Sequence, residues 1–174
     1  MRHASSPTLL CYDGSSGSKH AVAVASKTLA TDEVVILHSW NPPVTALADS
    51  YSDFGTPVAD PVGALEAREA ARAREIAAEG VQLALSLGLI ATMTVQRADG
   101  DEWRVILDTA DAIDAGLVVL GTRGRTAVQD GLLGTSVSSD VLHHSMRPVL
   151  IVPLPVEAAL CSAIQTAGLA PAAH

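Results

Sequence analysis

Three glycines and two hydroxyl residues stand close together in the stretch VVLGTRGRTAVQDGLLGTS, in the second half of the chain. Gly121, Gly124 and Gly134 are spaced as G-x-x-G-x9-G, and Thr135 and Ser136 follow directly. Glycine lets a backbone approach a ligand closely or adopt positive φ, and it leaves N–H groups free to point at an anion. Two interpretations fit this spacing equally well. The stretch is either a phosphate cradle or a strand-to-helix connection in which the glycines only turn the chain.

An acidic residue, Asp13, follows the first apolar run, in LLCYDGSSGSKH. In open parallel sheets, ligands bind beyond the carboxyl ends of the strands, where the strand order reverses. A short carboxylate there suits ribose hydroxyls or a metal. The alternative is that Asp13 only caps the turn before the first helix. A helix that opens after Gly134 would add unpaired N–H groups and a positive dipole end, both of which favour a phosphate.

Short apolar runs alternate with Ala-rich segments of helical periodicity along most of the chain. This pattern predicts βαβ units and a parallel sheet. The predicted strands are 8–12, 33–39, 90–96, 117–120 and 148–152. The predicted helices are 18–29, 64–87, 101–114 and about 136–145. Several strands lack polar alternation, so we expect helices on both faces of the sheet.

The helices carry boundary signals and apolar stripes of their own. Ser18 is predicted to cap the first helix, and Gly88 suits the C-terminal end of the second. The predicted buried stripe of the second helix is Ile76, Gly80, Leu83 and Leu87. The predicted core stripe of the third helix is Trp103, Ile106, Ala110 and Ile113.

Two segments depart from this regular alternation. Residues 40–63 contain four prolines and predict a long loop, which is either a lid or a mobile insert. Residues 154–174 carry one charged side chain, Glu157, and predict a tail or a short docking helix. We therefore expect one domain over residues 1–153 and a C-terminal tail over 154–174.

Composition limits the classes of partner and compartment. The formal net charge is −8, which argues against nucleic acid, because proteins that bind it usually present a basic face. The two cysteines, Cys11 and Cys161, have no metal or redox spacing. No window reaches the roughly 20 apolar residues of a membrane span, and the N-terminus lacks the apolar segment of a signal peptide. We expect a soluble cytoplasmic protein with no membrane partner.

Four stretches together resemble the universal stress protein family: LLCYDGSSGSKHAV, VVILHSW, DAGLVVLGTRGRT and LLGTSVSSDVLHHSMRPVLIVP. The resemblance covers about residues 8–153, and the G-x-x-G-x9-G-[ST] pattern is similar to that of the ATP-binding branch. It implies an α/β, doubly wound, five-stranded parallel sheet of order 3-2-1-4-5, the adenine nucleotide alpha hydrolase-like fold. It also implies ATP, with Mg²⁺, bound between the ends of strands 1 and 4. A homodimer formed through the last strand, Val149, Leu150, Ile151 and Val152, is implied as well.

The resemblance also assigns site residues. Asp13, in its Asp13-Gly14-Ser15 turn, would meet the ribose or the adenine. The backbone around His38 and Ser39 would line the adenine. The ribose and phosphates would be held by Leu120, Gly121, Arg123, Gly124, Gly134, Thr135, Ser136, Val137 and Ser138. The stretch GTSVSSDVLHH holds one residue more than the family's usual spacing, so either Thr135 or Ser136 would be the phosphate-facing hydroxyl.

Rival functions are a nucleotide-free dimeric interaction module and a receptor for another adenine nucleotide, such as cyclic AMP. An enzyme would need a nucleophile, a base or a metal cluster at workable spacing. The chain has no G-x-S-x-G or G-x-G-x-x-G motif, and His143 and His144 are predicted to be separate surface residues. Slow ATP hydrolysis is conceivable, but no dedicated base is evident. If Gly121 and Gly124 let the backbone approach the phosphates and ribose, a Cβ at either position should obstruct the nucleotide without unpacking the sheet core, unless the native φ is positive.

Overall fold

The computed structural model of the protein describes residues 6–29, 33–42, 61–122 and 137–155. The strands are β1 (Thr8–Cys11), β2 (Glu33–Trp40), β3 (Ile90–Arg97), β4 (Leu117–Gly121) and β5 (Val149–Val152). The helices are α1 (Ser16–Thr28), α2 (Pro61–Ser86), α3 (Glu102–Ala112) and α4 (Val137–His144). All five predicted strands and all four predicted helices are present, with ends that differ by a few residues.

The strands form one parallel sheet of order β3-β2-β1-β4-β5. This is the predicted 3-2-1-4-5 order. The first strand is central: Leu10 of β1 lies opposite Ile36 of β2 on one side and Val119 of β4 on the other. The strand order reverses between β1 and β4, so the switch point of the sheet lies between these two strands.

Each face of the sheet carries its own apolar core, as predicted from the strands without polar alternation. The core under α1 and α2 includes Leu10, Tyr12, Ile36 and Val119. The core under α3 and α4 includes Leu9, Leu37, Ile106 and Val141. Alternate residues of β1 enter opposite cores because successive side chains of a strand point to opposite faces. The predicted α3 stripe belongs to the second core: Ile106 and Ala110 are buried, and Trp103 and Ile113 pack against them.

The predicted N-cap of α1 is wrong by three residues. Ser15, in extended backbone conformation, accepts a hydrogen bond from the backbone N–H of Ser18. Ser18 lies inside the first turn instead, where its hydroxyl donates to the Ser15 carbonyl at 3.0 Å. The helix therefore starts close behind Asp13, and the connection from β1 is short.

The bounds of α2 change the predicted loop and the predicted stripe. Pro61 opens the helix, so residues 61–63 are helical, and Trp40 belongs to β2. Proline suits a first helical turn, because that turn has no partner for its N–H groups. Gly88 has φ +86 and closes the helix as predicted. Leu87 follows the last helical residue and is 38% exposed, so its place in the stripe was wrong. Residues 43–60 lie outside the described residues.

The backbone of α2 lies close to the sheet at Gly80. A Cβ at this position would lie 2.8 Å from Cδ1 of Tyr12 and 2.9 Å from Cγ2 of Ile36, both fully or nearly fully buried. The glycine therefore lets the helix backbone rest on the Tyr12 ring.

Gly80→Ala tests this contact by the sign of its effect. In an exposed helix interior, Gly→Ala stabilises by roughly 1 kcal/mol. At position 80 we expect the opposite sign, a loss of about 1–3 kcal/mol from overpacking. Chemical denaturation measures the change. Ala71→Gly, at an exposed position of the same helix, is the control for propensity alone, and a stabilised Gly80→Ala variant would contradict the close contact.

The last strand lies at a lateral edge of the described sheet. Val149, Leu150 and Ile151 are half-buried, and Val152 is buried. The following backbone N–H, of Leu154, donates to Oγ1 of Thr122 at 3.4 Å. Residues 156–174 lie outside the described residues, and the division at residue 153 stays a prediction. Within the part of the chain that is described, no helix is both long and apolar enough to cross a membrane.

Candidate functional site

The predicted site residues that can be located gather at the carboxyl ends of the central strands. Asp13 follows β1, and Gly121 ends the adjacent strand β4. His38 and Ser39 lie in the last part of β2. These residues surround the switch point between β1 and β4, where open α/β sheets bind their ligands.

The turn that carries Asp13 has a defined geometry. One carboxylate oxygen of Asp13 accepts a hydrogen bond from the backbone N–H of Ser15 at 3.0 Å. Gly14 has φ +77, a conformation that side chains with a Cβ rarely adopt. Asp13 thus caps the turn before α1. A carboxylate has about four acceptor sites, so it can accept more than one hydrogen bond.

Gly121 makes a close approach, but to the protein backbone. A Cβ on Gly121 would lie 2.8 Å from the carbonyl carbon of Gly17 and 3.2 Å from the backbone nitrogen of Ser18. The end of β4 therefore packs directly on the first turn of α1. The expectation that a Cβ at position 121 would leave the packing intact is wrong, because it would push these two backbones apart.

The same contact closes the gap between the end of β4 and the first turn of α1. Further predicted site residues lie on the α3 and α4 side of the sheet. Leu120 points into the core on that side. Val137 and Ser138 occupy the first turn of α4 and are half-buried.

The α3 side of the site is acidic, which the sequence analysis did not predict. Glu102 is the first residue of α3, and it accepts a hydrogen bond from Nδ2 of Asn41 at 3.2 Å. Burial, and then the negative charge of Asp13, raise the pKa of Glu102. Burial, followed by the charges of Asp13 and Glu102, likewise raises the pKa of Cys11. The Cys11 thiol therefore stays protonated and is a weak nucleophile.

Replacing Glu102 by Gln tests this acidic environment through pH. Because the folded-state pKa of Glu102 is raised, the wild type is destabilised once Glu102 ionises, and this cost is absent when the carboxyl is protonated. We expect Glu102→Gln to be more stable than wild type at pH 7. The difference should shrink as the pH falls through the folded pKa toward the unfolded value of about 4.3. Urea denaturation at several pH values measures it, and a constant difference would contradict the assignment.

Two of the histidines considered in the sequence, His38 and His144, have structural partners. Nδ1 of His38 donates to the backbone carbonyl of Tyr12 at 2.8 Å, and the side chain is buried. His38 thus joins the ends of β1 and β2. His143 and His144 are both exposed, as predicted, and the His144 ring stacks on Trp103.

The remaining predicted site residues lie outside the described residues. They are Arg123, Gly124, Gly134, Thr135 and Ser136. The described residues contain no group of three or more His, Cys, Asp or Glu side chains that could hold a metal ion. Tyr12, Asn41 and Glu102 were not predicted from the sequence as residues of the site. A signal was present for Glu102, which follows the end of β3 as Asp13 follows the end of β1.

The fold and the position of the site define a class of protein. A five-stranded parallel sheet of order 3-2-1-4-5 with helices on both faces is the adenine nucleotide alpha hydrolase-like fold. The sequence profile of the universal stress protein family matches residues 6–153. The chain belongs to the universal stress protein family.

Individual relatives agree with this assignment. The chain is 32% identical over 146 residues to a universal stress protein of Thermus aquaticus encoded in the QAH/OAS sulfhydrylase 3′ region, covering 83% of this chain and 96% of that protein. It is 39% identical over 75 residues to universal stress protein Sll1654 of Synechocystis, a match that spans 43% of this chain and 46% of that protein. Among solved structures, hypothetical protein MJ0577 superposes with a TM-score of 0.66 at 18% identity, over 87% of this chain and 97% of that chain.

Three further structures of the same fold hold an adenine nucleotide. A universal stress protein in complex with cAMP superposes with a TM-score of 0.55. The universal stress protein of Archaeoglobus fulgidus in complex with dAMP has a TM-score of 0.53, and an Arabidopsis thaliana family member with AMP bound has 0.55.

Proposed function

We propose that this protein binds an adenine nucleotide, ATP, at the switch point between β1 and β4. The observation that carries the proposal is the position of Asp13 at the carboxyl end of the central strand, beside the end of β4. A carboxylate there accepts hydrogen bonds from ribose hydroxyls. Similar folds that hold cAMP, dAMP and AMP support the same class of ligand.

Charge orients the nucleotide in this proposal. Asp13 and Glu102 place two carboxyl groups at the end near β1 and α3, and the charge of Asp13 is the second cause, after burial, of the raised pKa of Glu102. Phosphates are repelled from that end and favoured near the first turn of α4, because the N-terminal end of a helix dipole is positive. The ribose would therefore face Asp13, and the adenine would lie by the backbone of His38 and Ser39. The phosphates would extend toward α4, Arg123, Gly124, Gly134, Thr135 and Ser136.

In this proposal Mg²⁺ is bound as a companion of the phosphates. The described residues offer no cage of three ligating side chains. Mg²⁺ commonly binds substrate phosphates, keeps several waters and uses few protein carboxylates. When bound with ATP it would neutralise phosphate charge, and this chain's own residues would hold the nucleoside and the phosphate oxygens.

A second candidate ligand is an adenine nucleotide with one phosphate, such as cyclic AMP. It is favoured by the same three nucleotide complexes, each of which holds a monophosphate. The nucleotide-free interaction module is the alternative from a different class. It predicts an empty switch point and no response to any of these ligands.

The first test identifies any ligand that is released when freshly purified protein is denatured. The second is a titration of the refolded, ligand-free protein with each nucleotide. We expect adenine nucleotide in the supernatant, and titration should rank ATP with Mg²⁺ above AMP and cyclic AMP. A higher affinity for cyclic AMP or AMP would replace ATP by the second candidate. If no nucleotide is released, and none of the three ligands binds at millimolar concentration, the result would favour the nucleotide-free interaction module.

We further propose that the protein acts as a dimeric regulator of the stress response in the cytoplasm. Membership of the universal stress protein family supports this role. The dimer would form by pairing of β5, because its backbone ladder is unpaired on one side in the described sheet.

Ile151→Pro tests the dimer. Proline removes a ladder N–H and resists placement within a paired strand. We expect wild-type protein to scatter light as a dimer at micromolar concentration and Ile151→Pro to scatter as a folded monomer. Because β5 also pairs with β4, circular dichroism must show that the variant keeps its fold. Monomeric wild-type protein would contradict the proposed assembly.

A further inference from the structure

Glu79 of α2 lies where three elements meet. Its Oε1 atom accepts a hydrogen bond from the hydroxyl of Tyr12 at 3.0 Å and lies 2.8 Å from Nζ of Lys19. Tyr12 directly follows β1, and Lys19 lies in the first turns of α1. One carboxylate oxygen thus connects the strand before Asp13 and the helix after it.

The backbone, the ring and the hydroxyl of Tyr12 all make contacts with the rest of the protein. Its N–H donates to the carbonyl of Leu37 at 2.8 Å, and its carbonyl accepts from Nδ1 of His38 at 2.8 Å. The residue is 2% exposed, and its ring lies under Gly80. Burial and the hydrogen bond to Glu79 raise the pKa of Tyr12, so the hydroxyl remains a donor. Tyr12, the residue before Asp13, therefore has a fixed position, and Glu79 holds its hydroxyl group.

The turn after Tyr12 rests on the same part of α2. A Cβ on Gly14 would be 3.7 Å from Cγ2 of Ile76 and 4.0 Å from a carboxylate oxygen of Glu79. The Asp13 side chain is tied to the N–H of Ser15, the N-cap of α1. Movement of Tyr12 or of the start of α1 would therefore shift the Asp13 carboxylate.

The contacts of Glu79 are better suited to positioning the β1–α1 loop than to raising the stability of the fold. The side chains of Lys19 and Glu79 are 48% and 53% exposed, and exposed ion pairs contribute little to folding. A binding group, in contrast, must be held within roughly 0.5 Å of its productive position by supporting residues. An exposed carboxylate that joins the two ends of a site loop meets that need.

We propose that Glu79 is a positioning residue of the nucleotide site, which through Tyr12 and Lys19 holds the β1–α1 loop so that the Asp13 carboxylate faces the ribose hydroxyls. The inference rests on the proposed function and deepens it. Glu79 does not touch the nucleotide in this account. Its effect is confined to the part of the affinity that depends on Asp13 and on the ribose hydroxyls.

The experiment compares ATP with 2′,3′-dideoxy-ATP as ligands of wild type, Glu79→Ala, Asp13→Ala and the double variant. We expect wild type to prefer ATP. Loss of one hydrogen bond to a charged group corresponds to roughly tenfold in affinity or more, so Glu79→Ala should weaken ATP binding about tenfold. It should affect dideoxy-ATP much less. In the Asp13→Ala background, Glu79→Ala should change neither dissociation constant by more than about twofold.

Two variants serve as controls. Glu75→Ala removes an exposed carboxylate one turn earlier on α2 and should bind both nucleotides like wild type. Tyr12→Phe deletes only the hydroxyl that Glu79 accepts, and it should reduce the preference for ATP in the same direction as Glu79→Ala. Tyr12→Phe also keeps the buried ring, so it remains informative if Glu79→Ala fails to fold.

Three results would overturn the inference. Wild-type ATP affinity in Glu79→Ala and Tyr12→Phe would show that the loop holds its position without Glu79, while leaving the proposed function intact. Equal losses for both nucleotides, persisting in the Asp13→Ala background, would show general structural damage. Absence of nucleotide binding by wild type would remove the proposed function itself, and the inference with it.

Discussion

Gly121→Ala is expected to lower the melting temperature of the ligand-free protein. The added Cβ would meet the backbone of Gly17 and Ser18 at 2.8–3.2 Å, and backbone at the first turn of α1 cannot rotate away as a side chain can. Overpacking of this kind costs about 2 kcal/mol, which for a domain of this size lowers the melting temperature by roughly 4–8 °C. Differential scanning calorimetry without nucleotide measures the change.

Gly116→Ala is the matched control, because its Cβ would meet Ser6 Cβ at 3.1 Å, near the start of the described chain. We expect a clearly smaller change there. If Gly121→Ala melted like wild type and only lost nucleotide binding, the glycine would serve the ligand alone. The packing role assigned to it would then be wrong.

Asp13→Asn is expected to lose affinity for ATP while keeping its fold. An Asn carbonyl can still accept the hydrogen bond from the Ser15 N–H, so the turn before α1 is retained. The negative charge that strengthens hydrogen bonds from ribose hydroxyls is lost. Hydrogen bonds to charged groups contribute roughly 1.5–3 kcal/mol, so we expect a loss in affinity of about tenfold or more.

Isothermal titration measures this affinity, and calorimetric melting without ligand checks the fold. Asp114→Asn, at an exposed aspartate near the end of α3, is the control for a change of one charge far from the site. Unchanged ATP affinity in Asp13→Asn would show that Asp13 only shapes the turn. In that event the proposed contact with the ribose would be excluded.

The strands could be predicted because their signal is local, whereas the order of the sheet was implied by the family resemblance. Apolar runs such as 117–120 read as buried strands, and the motif content pointed to a family whose fold is known. The N-cap of α1 could not be predicted with the same certainty. Ser15, Ser16 and Ser18 are all suitable cap residues, and the geometry of the Asp13 turn selects Ser15.

The role of Gly121 was only half predictable for a different reason. The sequence indicated that the backbone must approach something closely there. The partner, Gly17, is far away in the chain and close only after β1 and β4 pair. The acidic environment of Glu102 could not be predicted for the same reason. Asp13, Asn41 and Glu102 follow three different strands and are distant from one another in the chain. Such contacts depend on sheet order and helix placement, which periodicity does not report.

The most direct test of the central claim is amide hydrogen exchange with and without ATP and Mg²⁺, because it reports both binding and its location. We expect slower exchange on adding ATP in the segments that contain Asp13 and Thr122, at the carboxyl ends of β1 and β4. Segments at the opposite end of the sheet, such as 88–90 and 145–149, should be unchanged. Unaltered exchange throughout, or protection only at that opposite end, would contradict a nucleotide site at the switch point.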